Sequence, residues 1–186
     1  THAFRRKAEA RGARVVEGAA VVALRRNGEV WQVETPAARY EAPVVVNCAG
    51  AWADQIAAMA NDRAPIKTRC SMMMVTDRLA PFLKPVIGSV GRKLSFKQTS
   101  DGTILIGGGH QGHPDRDRES YRLDALRLGE SATAAAAIFP LMRGVRVVRA
   151  WAGLEAETPD KLPIIGASPS APGFFHAFGF SGHGFQ

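Results

Sequence analysis

The 186-residue sequence predicts a mixed fold, in which an α/β region is followed by an α+β region. Three observations carry this prediction. The continuously apolar run Val44–Val46 precedes a small-residue turn and a helical pattern at 52–60, which is typical of a parallel-sheet strand buried on both faces. Longer alternating strands follow over 66–107, and a helical pattern over 123–139 is expected to cover them. We therefore expect one parallel-type sheet and one antiparallel sheet.

The part of the chain before Val44 is predicted to hold one helix and a small antiparallel sheet. The helix covers Phe4–Arg11 and ends at Gly12. Asn27-Gly28 is a strong hairpin signal, because a tight hairpin turn needs positive φ at its central positions. The strand-like runs before and after it are Ala13–Val16, Ala19–Arg26, Glu29–Thr35 and Arg39–Ala42.

The middle of the chain is predicted to form two or three long antiparallel strands under one helix. The predicted strands are Ile66–Thr76, Lys93–Thr99 and Thr103–Gly107. Asp101-Gly102 is the hairpin turn between the last two strands, and the methionines at 72–74 are expected to fill the core. The helix ends at Pro140 and carries apolar residues along one side, namely Leu123, Leu126, Ala134 and Ile138.

The C-terminal stretch is predicted to contain three strands and a glycine-rich bend. The strands are Val145–Leu154, Pro163–Ile165 and Phe174–Phe178. Glycines at 179, 182 and 184 let the backbone take positive φ and approach a flat or charged ligand closely. If a helix follows Gly184, the free N–H groups of its first turn favour negative charge on that ligand. A plain surface turn is the alternative.

Bulk composition limits the class of protein. With 46% hydrophobic and 22% charged residues the chain has a globular composition, which excludes a disordered protein. A net charge of +7 raises the question of nucleic acid, yet the basic residues are scattered, pairs such as Arg5-Arg6 are the longest runs and no recognition motif accompanies them. We therefore expect no nucleic-acid partner.

The two cysteines and the apolar runs point to a cytoplasmic protein. Cys48 and Cys70 lie in apolar runs without metal-ligand spacing, which predicts two buried free thiols and no metal site. The most apolar run, 132–142, is too short to span a bilayer and contains Pro140, and no signal segment opens the chain.

Three motifs near the C-terminus occur in a specific order. They are Arg-x-Trp-Ala-Gly-Leu-Glu at 149–155, Pro-Asp-x-x-Pro-Ile-Ile-Gly at 159–166 and Gly-Phe-Ser-Gly-His-Gly-Phe at 179–185. Together they resemble the C-terminal part of the FAD-dependent D-amino acid oxidase superfamily, most closely its sarcosine oxidase β, opine oxidase and hydrogen cyanide synthase branch. The similarity extends from about Phe4 onward.

The resemblance implies a domain organisation and a set of partners. Residues 1–64 would be the C-terminal share of an FAD-binding, Rossmann-like domain, 65–154 the antiparallel-sheet substrate domain, and 155–186 a return to the FAD-binding domain. The expected partners are a small amine or amino-acid substrate and a partner subunit or electron acceptor.

The same resemblance implies which residues contact FAD. They are Val21, Cys48, Ala49, Gly50, Trp52, Gly179, Ser181, Gly182, His183, Gly184 and Phe185. FAD is expected to bind non-covalently, because the segment 152–154 lacks the cysteine through which monomeric sarcosine oxidases attach it. The glycine loop at 107–110 does not supply the GxGxxG fingerprint, because no helical pattern follows it directly, so we expect the pyrophosphate cradle outside this segment.

The implied reaction oxidises the C–N bond of the substrate by hydride transfer to the flavin. His110 is expected to be catalytic, since a histidine can hydrogen-bond the substrate or take up a proton; a loop-surface role is the alternative. Arg69 is expected to hold a substrate carboxylate, because Glu155 stands where glycine oxidases place an arginine. Gln186 is assigned to the substrate site, where it replaces a lysine and so favours a dehydrogenase over an oxidase.

Other interpretations stay open at this point. The segment alone is expected to be inactive, and it would then be one subunit of a split enzyme, or a non-catalytic binding or structural module that keeps the fold. Nucleic-acid binding through the basic surface would require that the retention of DNA depends steeply on salt concentration.

Overall fold

The computed structural model describes residues 1–184, so the predictions for Phe185 and Gln186 lie outside the described part of the chain. The helices are α1 (His2–Glu9), α2 (Ala53–Met59) and α3 (Ala125–Ile138), with 3-10 turns at Gly50–Trp52 and Pro140–Met142. Helix α1 begins and ends two residues before its predicted bounds.

The strands fall into three groups along the chain. The first group is β1 (Ala23–Asn27), β2 (Val30–Glu34), β3 (Arg39–Ala42) and β4 (Val45–Asn47). The second is β5 (Lys67–Arg78), β6 (Ile87–Gly88), β7 (Ser95–Gln98), β8 (Thr103–Gly107), β9 (His113–Asp115) and β10 (Ser120–Arg122). The third is β11 (Val147–Glu157), β12 (Ile164–Ala167) and β13 (Phe174–Phe178).

Strands β1, β2 and β3 form an antiparallel meander. Its first turn is the predicted hairpin, with Asn27 paired to Val30 and Gly28 at a φ of +60°. The predicted strand at Ala13–Val16 is wrong, because no neighbouring strand supplies it with ladder hydrogen bonds within the described residues. Apolar, β-branched composition alone therefore does not make a strand there.

Strand β13 is the centre of a second sheet, in which it runs parallel to β4 and antiparallel to β12. One face of this sheet packs against α2 through Phe174 and Phe178, which are almost fully buried. The other face is open: Val44 and Val46 are 49% and 54% exposed. The parallel pairing was predicted correctly, but burial on both faces was not, because alternate side chains of β4 have no covering layer in the described residues.

A buried hydrogen-bonded pair, His176 and Asp62, lies between the end of α2 and β13. The His176 Nε2 atom lies 2.9 Å from the Asp62 Oδ2 atom, and both side chains are less than a tenth exposed. The His176 ring stands edge-on between the rings of Phe174 and Phe178. The pair ties the segment after α2 to the central strand of the sheet.

The largest sheet is antiparallel and has the strand order β11-β5-β8-β7-β6. It is wider than predicted, because β11 pairs with β5 along nearly its whole length and the short strand β6 extends the other edge. Met72 and Met74 are each 2% exposed, which confirms the prediction that they fill the core. Strands β9 and β10 form a separate hairpin, and β9 packs next to β5.

Helix α3 covers one face of the large sheet. Asp124 caps its first turn by accepting a hydrogen bond from the Arg127 amide at 3.1 Å. The predicted apolar side is wrong at Leu126 and Ile138, which are 84% and 37% exposed, and Leu123 precedes the helix. The helix instead packs through Leu128, Ala132 and Ala135, a row with the spacing of successive helical turns.

The predicted fold class is confirmed: an α/β part built on a parallel strand pair accompanies an antiparallel sheet covered by a helix. The domain limits stay a prediction, and β11 runs without interruption across the predicted boundary between residues 154 and 155. None of the helices within residues 1–184 has the length and hydropathy of a membrane span.

Candidate functional site

An open cleft of 680 Å³ lies where the parallel strands β4 and β13 end. In open α/β sheets, ligands bind in the crevice outside the carboxyl ends of the strands. The glycines that line this cleft are Gly50, Gly179, Gly182 and Gly184. Its other lining residues are Cys48, Leu154, Glu155, Ala156, Ala177, Phe178, Phe180 and Ser181. The walls are therefore mainly apolar side chains and bare glycine backbone.

The turn after β4 forms one wall of the cleft and is held by Asn47. The buried Asn47 side chain accepts a hydrogen bond from the Ala49 amide at 3.2 Å and donates one to the Ala53 carbonyl oxygen at 2.8 Å. Gly50 has a φ of +53°, and a Cβ built on it would meet no atom within 4 Å. The turn thus presents its backbone directly to the cleft.

Two outcomes concern this turn. Cys48 is exposed, so the prediction of a buried thiol is wrong there, whereas Cys70 is buried as predicted. Cys48 differs because it follows the last residue of β4 and lies outside the paired strand. The positioning role of Asn47 was missed, although a polar residue that ends an apolar strand was a usable signal.

The turn after β13 forms the opposite wall. Gly179 has a φ of +76°, and a Cβ on it would lie 2.5 Å from the Thr158 Cγ2 atom, so the position requires glycine. Phe180 forms a backbone bridge with Glu157 of β11, which ties this turn to the large sheet. Within residues 1–184 the amides of Gly182 and Gly184 have no hydrogen-bond acceptor. These two amides are free donors at the edge of the cleft.

The structure brings six of the predicted cofactor-contacting residues to this one cleft. They are Cys48, Gly50, Gly179, Ser181, Gly182 and Gly184. Their cofactor roles stay predictions, but residues more than 120 positions apart do meet in space as the motifs require.

Four other predicted cofactor residues within 1–184 do not line the cleft. Val21 packs against the core beside β1, and Trp52 donates its indole N–H to the Arg116 carbonyl oxygen at 3.3 Å. Ala49 contributes backbone to the turn after β4. His183 is exposed, and its Nδ1 atom lies 3.1 Å from the Ser181 carbonyl oxygen.

Arg69, the predicted carboxylate ligand, already has a charge partner. Its Nη1 atom pairs with the Glu157 carboxylate on the neighbouring strand β11. Its Nη2 atom donates weakly to the Gly109 carbonyl oxygen at 3.5 Å. Arg69 would have to leave Glu157, or share its charge, in order to bind a substrate carboxylate.

His110 lies against α3 and not in the cleft. It is 8% exposed, and its Nδ1 atom is 3.2 Å from the Glu130 Oε2 atom of α3. The two side chains are close, but the His110 Nδ1 atom makes no hydrogen bond within the described residues. The catalytic role of His110 stays a prediction without support from its position.

A row of polar side chains beside the cleft was not predicted as a site. The Ser71 hydroxyl donates to the Glu155 carboxylate, and the Gln111 side-chain amide donates to the Ser71 oxygen at 3.3 Å. The meeting of these three residues depends on the register of two strands and a loop, which local sequence patterns do not specify. Within residues 1–184, no three His, Cys, Asp or Glu side chains come together as metal ligands would.

Comparison with known proteins identifies the family. The profile named DAO, FAD dependent oxidoreductase, matches residues 1–186. Sarcosine dehydrogenase, mitochondrial, of Mus musculus is 29% identical over 198 residues, which is 96% of this chain and 21% of the relative. Sarcosine oxidase subunit beta of Rhizobium meliloti (strain 1021) is 28% identical over 167 residues, which is 89% of this chain and 39% of the relative.

A solved structure gives the same result for the fold. L-proline dehydrogenase from P. horikoshii superposes with a TM-score of 0.90 at 29% sequence identity, over 99% of this chain and 50% of that chain. The chain therefore spans between about a fifth and a half of the length of these relatives. The resemblance in the C-terminal motifs is confirmed, and the chain belongs to the DAO family of FAD-dependent oxidoreductases.

Proposed function

We propose that this chain forms the flavin-ring side of an FAD-dependent enzyme that oxidises the C–N bond of a small amine or amino acid. One observation supports this proposal above the others: two glycine-containing turns, 48–50 and 179–184, line the same cleft at the ends of parallel strands. Family membership supports the cofactor, and the names of the relatives, which include a sarcosine oxidase subunit and an L-proline dehydrogenase, support the substrate class.

The residues of the cleft fit a flat, electron-accepting ring. The apolar side chains Leu154, Phe178 and Phe180 offer surfaces for an aromatic ring system and exclude water from it. Gly50 and Gly182 leave room for close approach, because they carry no Cβ. When bound, FAD would accept a hydride from the substrate carbon next to nitrogen, leaving an imine that water hydrolyses.

The contribution of the chain itself is positioning and charge stabilisation. The free amides of Gly182 and Gly184 would donate hydrogen bonds to the ring edge on which negative charge develops during reduction. The bridge between Phe180 and Glu157 would hold that turn at a constant distance from the large sheet, whose polar face borders the substrate side. No cysteine lies in 152–154, and we propose that FAD is held without a covalent bond there.

The pyrophosphate of FAD needs a further binding element. The GxGxxG spacing at 107–112 is followed by strand β9 and not by a helix, so it is not the dinucleotide-binding fingerprint. The open face of the β12-β13-β4 sheet exposes Val46, Ile165 and Phe175. We propose that this element lies outside the sequence described, in the same protein or in a partner subunit. Relatives named as subunits of sarcosine oxidase and hydrogen cyanide synthase support the second arrangement.

The test is spectroscopic. The protein that carries this chain, purified with its native partners, is expected to show flavin absorbance that is released by heat or acid without proteolysis. Under anaerobic conditions a panel of small amines and amino acids should include at least one compound that bleaches this absorbance. A folded but colourless protein that FAD does not reconstitute would overturn the proposal in favour of a non-catalytic module.

A further inference from the structure

Glu155 brings a carboxylate to the cleft wall. It lies in β11 directly before Ala156, and both residues line the cleft. Its Oε2 atom is 3.8 Å from the position that a Cβ on Gly182 would occupy, so this oxygen lies beside the glycine turn on the opposite wall. The carboxylate therefore lies between the large sheet and the turn proposed to contact the flavin ring.

Neutral donors orient this carboxylate. The Ser71 hydroxyl donates to the Oε1 atom of Glu155. Ser71 in turn accepts from the Gln111 side-chain amide at 3.3 Å, and the other end of that amide accepts from the Cys70 backbone N–H at 2.7 Å. Hydrogen bonds of this kind hold the group in place, but they carry no positive charge to balance it.

The cation that faces Glu155 across the strand pair is already used. Arg69 is the cross-strand neighbour of Glu155 in the β5–β11 register, yet its guanidinium pairs with Glu157. In the described residues Glu155 forms no ion pair with any arginine, lysine or histidine. Arg69, Glu155 and Glu157 together carry one more negative than positive charge, and Glu155 is the member of this group without an ion-pair partner in the described residues.

We propose that Glu155 is a specificity-determining residue of the cleft, which selects a substrate of net positive charge and disfavours one that presents a carboxylate. A partly buried carboxylate without a counter-charge attracts an organic cation and repels an anion, and both effects act on selectivity. The favoured substrate class is a small amine without an α-carboxylate. This inference rests on the proposed function, because it names the substrate chemistry of the same cleft.

Ligand binding to the FAD-loaded protein tests the inference with two non-oxidisable probes, tetramethylammonium and acetate. The wild type should bind tetramethylammonium more tightly than acetate. Glu155→Gln keeps the size of the side chain and removes the charge, so it should weaken tetramethylammonium binding by about tenfold, the effect expected for one lost charge-assisted contact. Calorimetry and the shift of the flavin spectrum both report this binding.

Two further variants control the experiment. Glu29→Gln makes the same chemical change on an exposed turn between β1 and β2 and should leave both affinities unchanged. Glu155→Asp keeps the charge and should retain the preference for the cation, which separates loss of charge from loss of folding. The kcat/KM of the wild type should be higher for N-methylpropylamine, which has no carboxylate, than for N-methylglycine, and Glu155→Gln should reduce this preference.

The outcomes separate the two proposals. Equal tetramethylammonium affinity in the wild type and Glu155→Gln, or tighter binding of acetate by the wild type, would overturn the role of Glu155 while the flavin remains bound and reducible. A protein that never binds flavin contradicts the proposed function first, and calorimetry on that protein still shows whether Glu155 binds the cation.

Discussion

Replacing Asp62 with asparagine tests the buried pair that ties the end of α2 to β13. Burial by itself opposes ionisation of Asp62, but hydrogen bonds from the Ser168, His176 and Ser170 side chains and from the Arg63 amide outweigh it and lower the pKa of Asp62 to about 2. The ionised form is therefore favoured in the folded protein relative to the unfolded chain.

The size of the effect follows from linkage. A pKa lowered from 3.8 to about 2 stabilises the folded protein by about 2 kcal/mol at neutral pH. The pKa of Asp62 is lower in the folded protein than in the unfolded chain. This contribution is therefore fully present at pH values above the unfolded-state pKa and is lost as the pH falls through the folded-state pKa. It should decrease to about 1 kcal/mol near pH 3 and be almost absent near pH 2.

The assay is urea unfolding of the wild type and Asp62→Asn at a series of pH values from about 5 to about 3. The free-energy difference between the two proteins should shrink by about 1 kcal/mol over this range, because asparagine does not titrate. Asp117→Asn serves as control: it removes an exposed carboxylate with no hydrogen bond or ion pair in residues 1–184. If the difference in free energy of unfolding between the wild type and Asp62→Asn stays constant from pH 5 to pH 3, the reasoning is refuted.

Three other changes have defined outcomes. Gly179→Val should lower the free energy of unfolding by about 2 kcal/mol or more, because residue 179 has a φ of +76° and a side chain there would collide with Thr158. The variant should also retain less flavin. An unchanged melting temperature would contradict this account of the turn. Phe96→Ala should lower the free energy of unfolding, measured with urea, by about 3–5 kcal/mol, because the ring is fully buried in the core of the large sheet. A decrease of less than about 1 kcal/mol would contradict that packing. Iodoacetamide at neutral pH should modify the exposed Cys48 in the native protein and Cys70 only after unfolding. Burial both shields the Cys70 thiol and raises its pKa. A mass spectrum showing that both thiols are labelled in the folded protein would contradict this.

Local patterns in the sequence predicted most elements of the fold. The hairpin at Asn27-Gly28 and the strand Phe174–Phe178 were found because turn chemistry and short apolar runs act within a few residues. The failures were also local: Ala13–Val16 has strand-like composition without a strand partner in the described residues, and Leu126 lies on the side of α3 opposite the row that packs. Pairing and packing partners, which composition does not specify, decide both cases.

The candidate site shows the same division. The glycine turn and the Cys48–Gly50 turn were predicted from motifs, and the structure brings them to one cleft. The substrate-binding role of Arg69 stays a prediction, and it was assigned by charge alone. Its partner Glu157 lies 88 positions away, a distance over which no local pattern operates.

What the sequence by itself determined is the set of conformations that each short segment prefers: the mixed fold class, the hairpin turns and a terminal bend that only glycine tolerates at 179. What only the tertiary structure decided is which charges remain unbalanced. Arg69 is opposite Glu155 in the strand register but forms its ion pair with Glu157, which leaves Glu155 at the cleft with a hydrogen bond from the neutral Ser71 hydroxyl. The physical reason is that backbone preference is set by neighbours in the chain, whereas an ion pair depends on residues that only the folded sheet brings together.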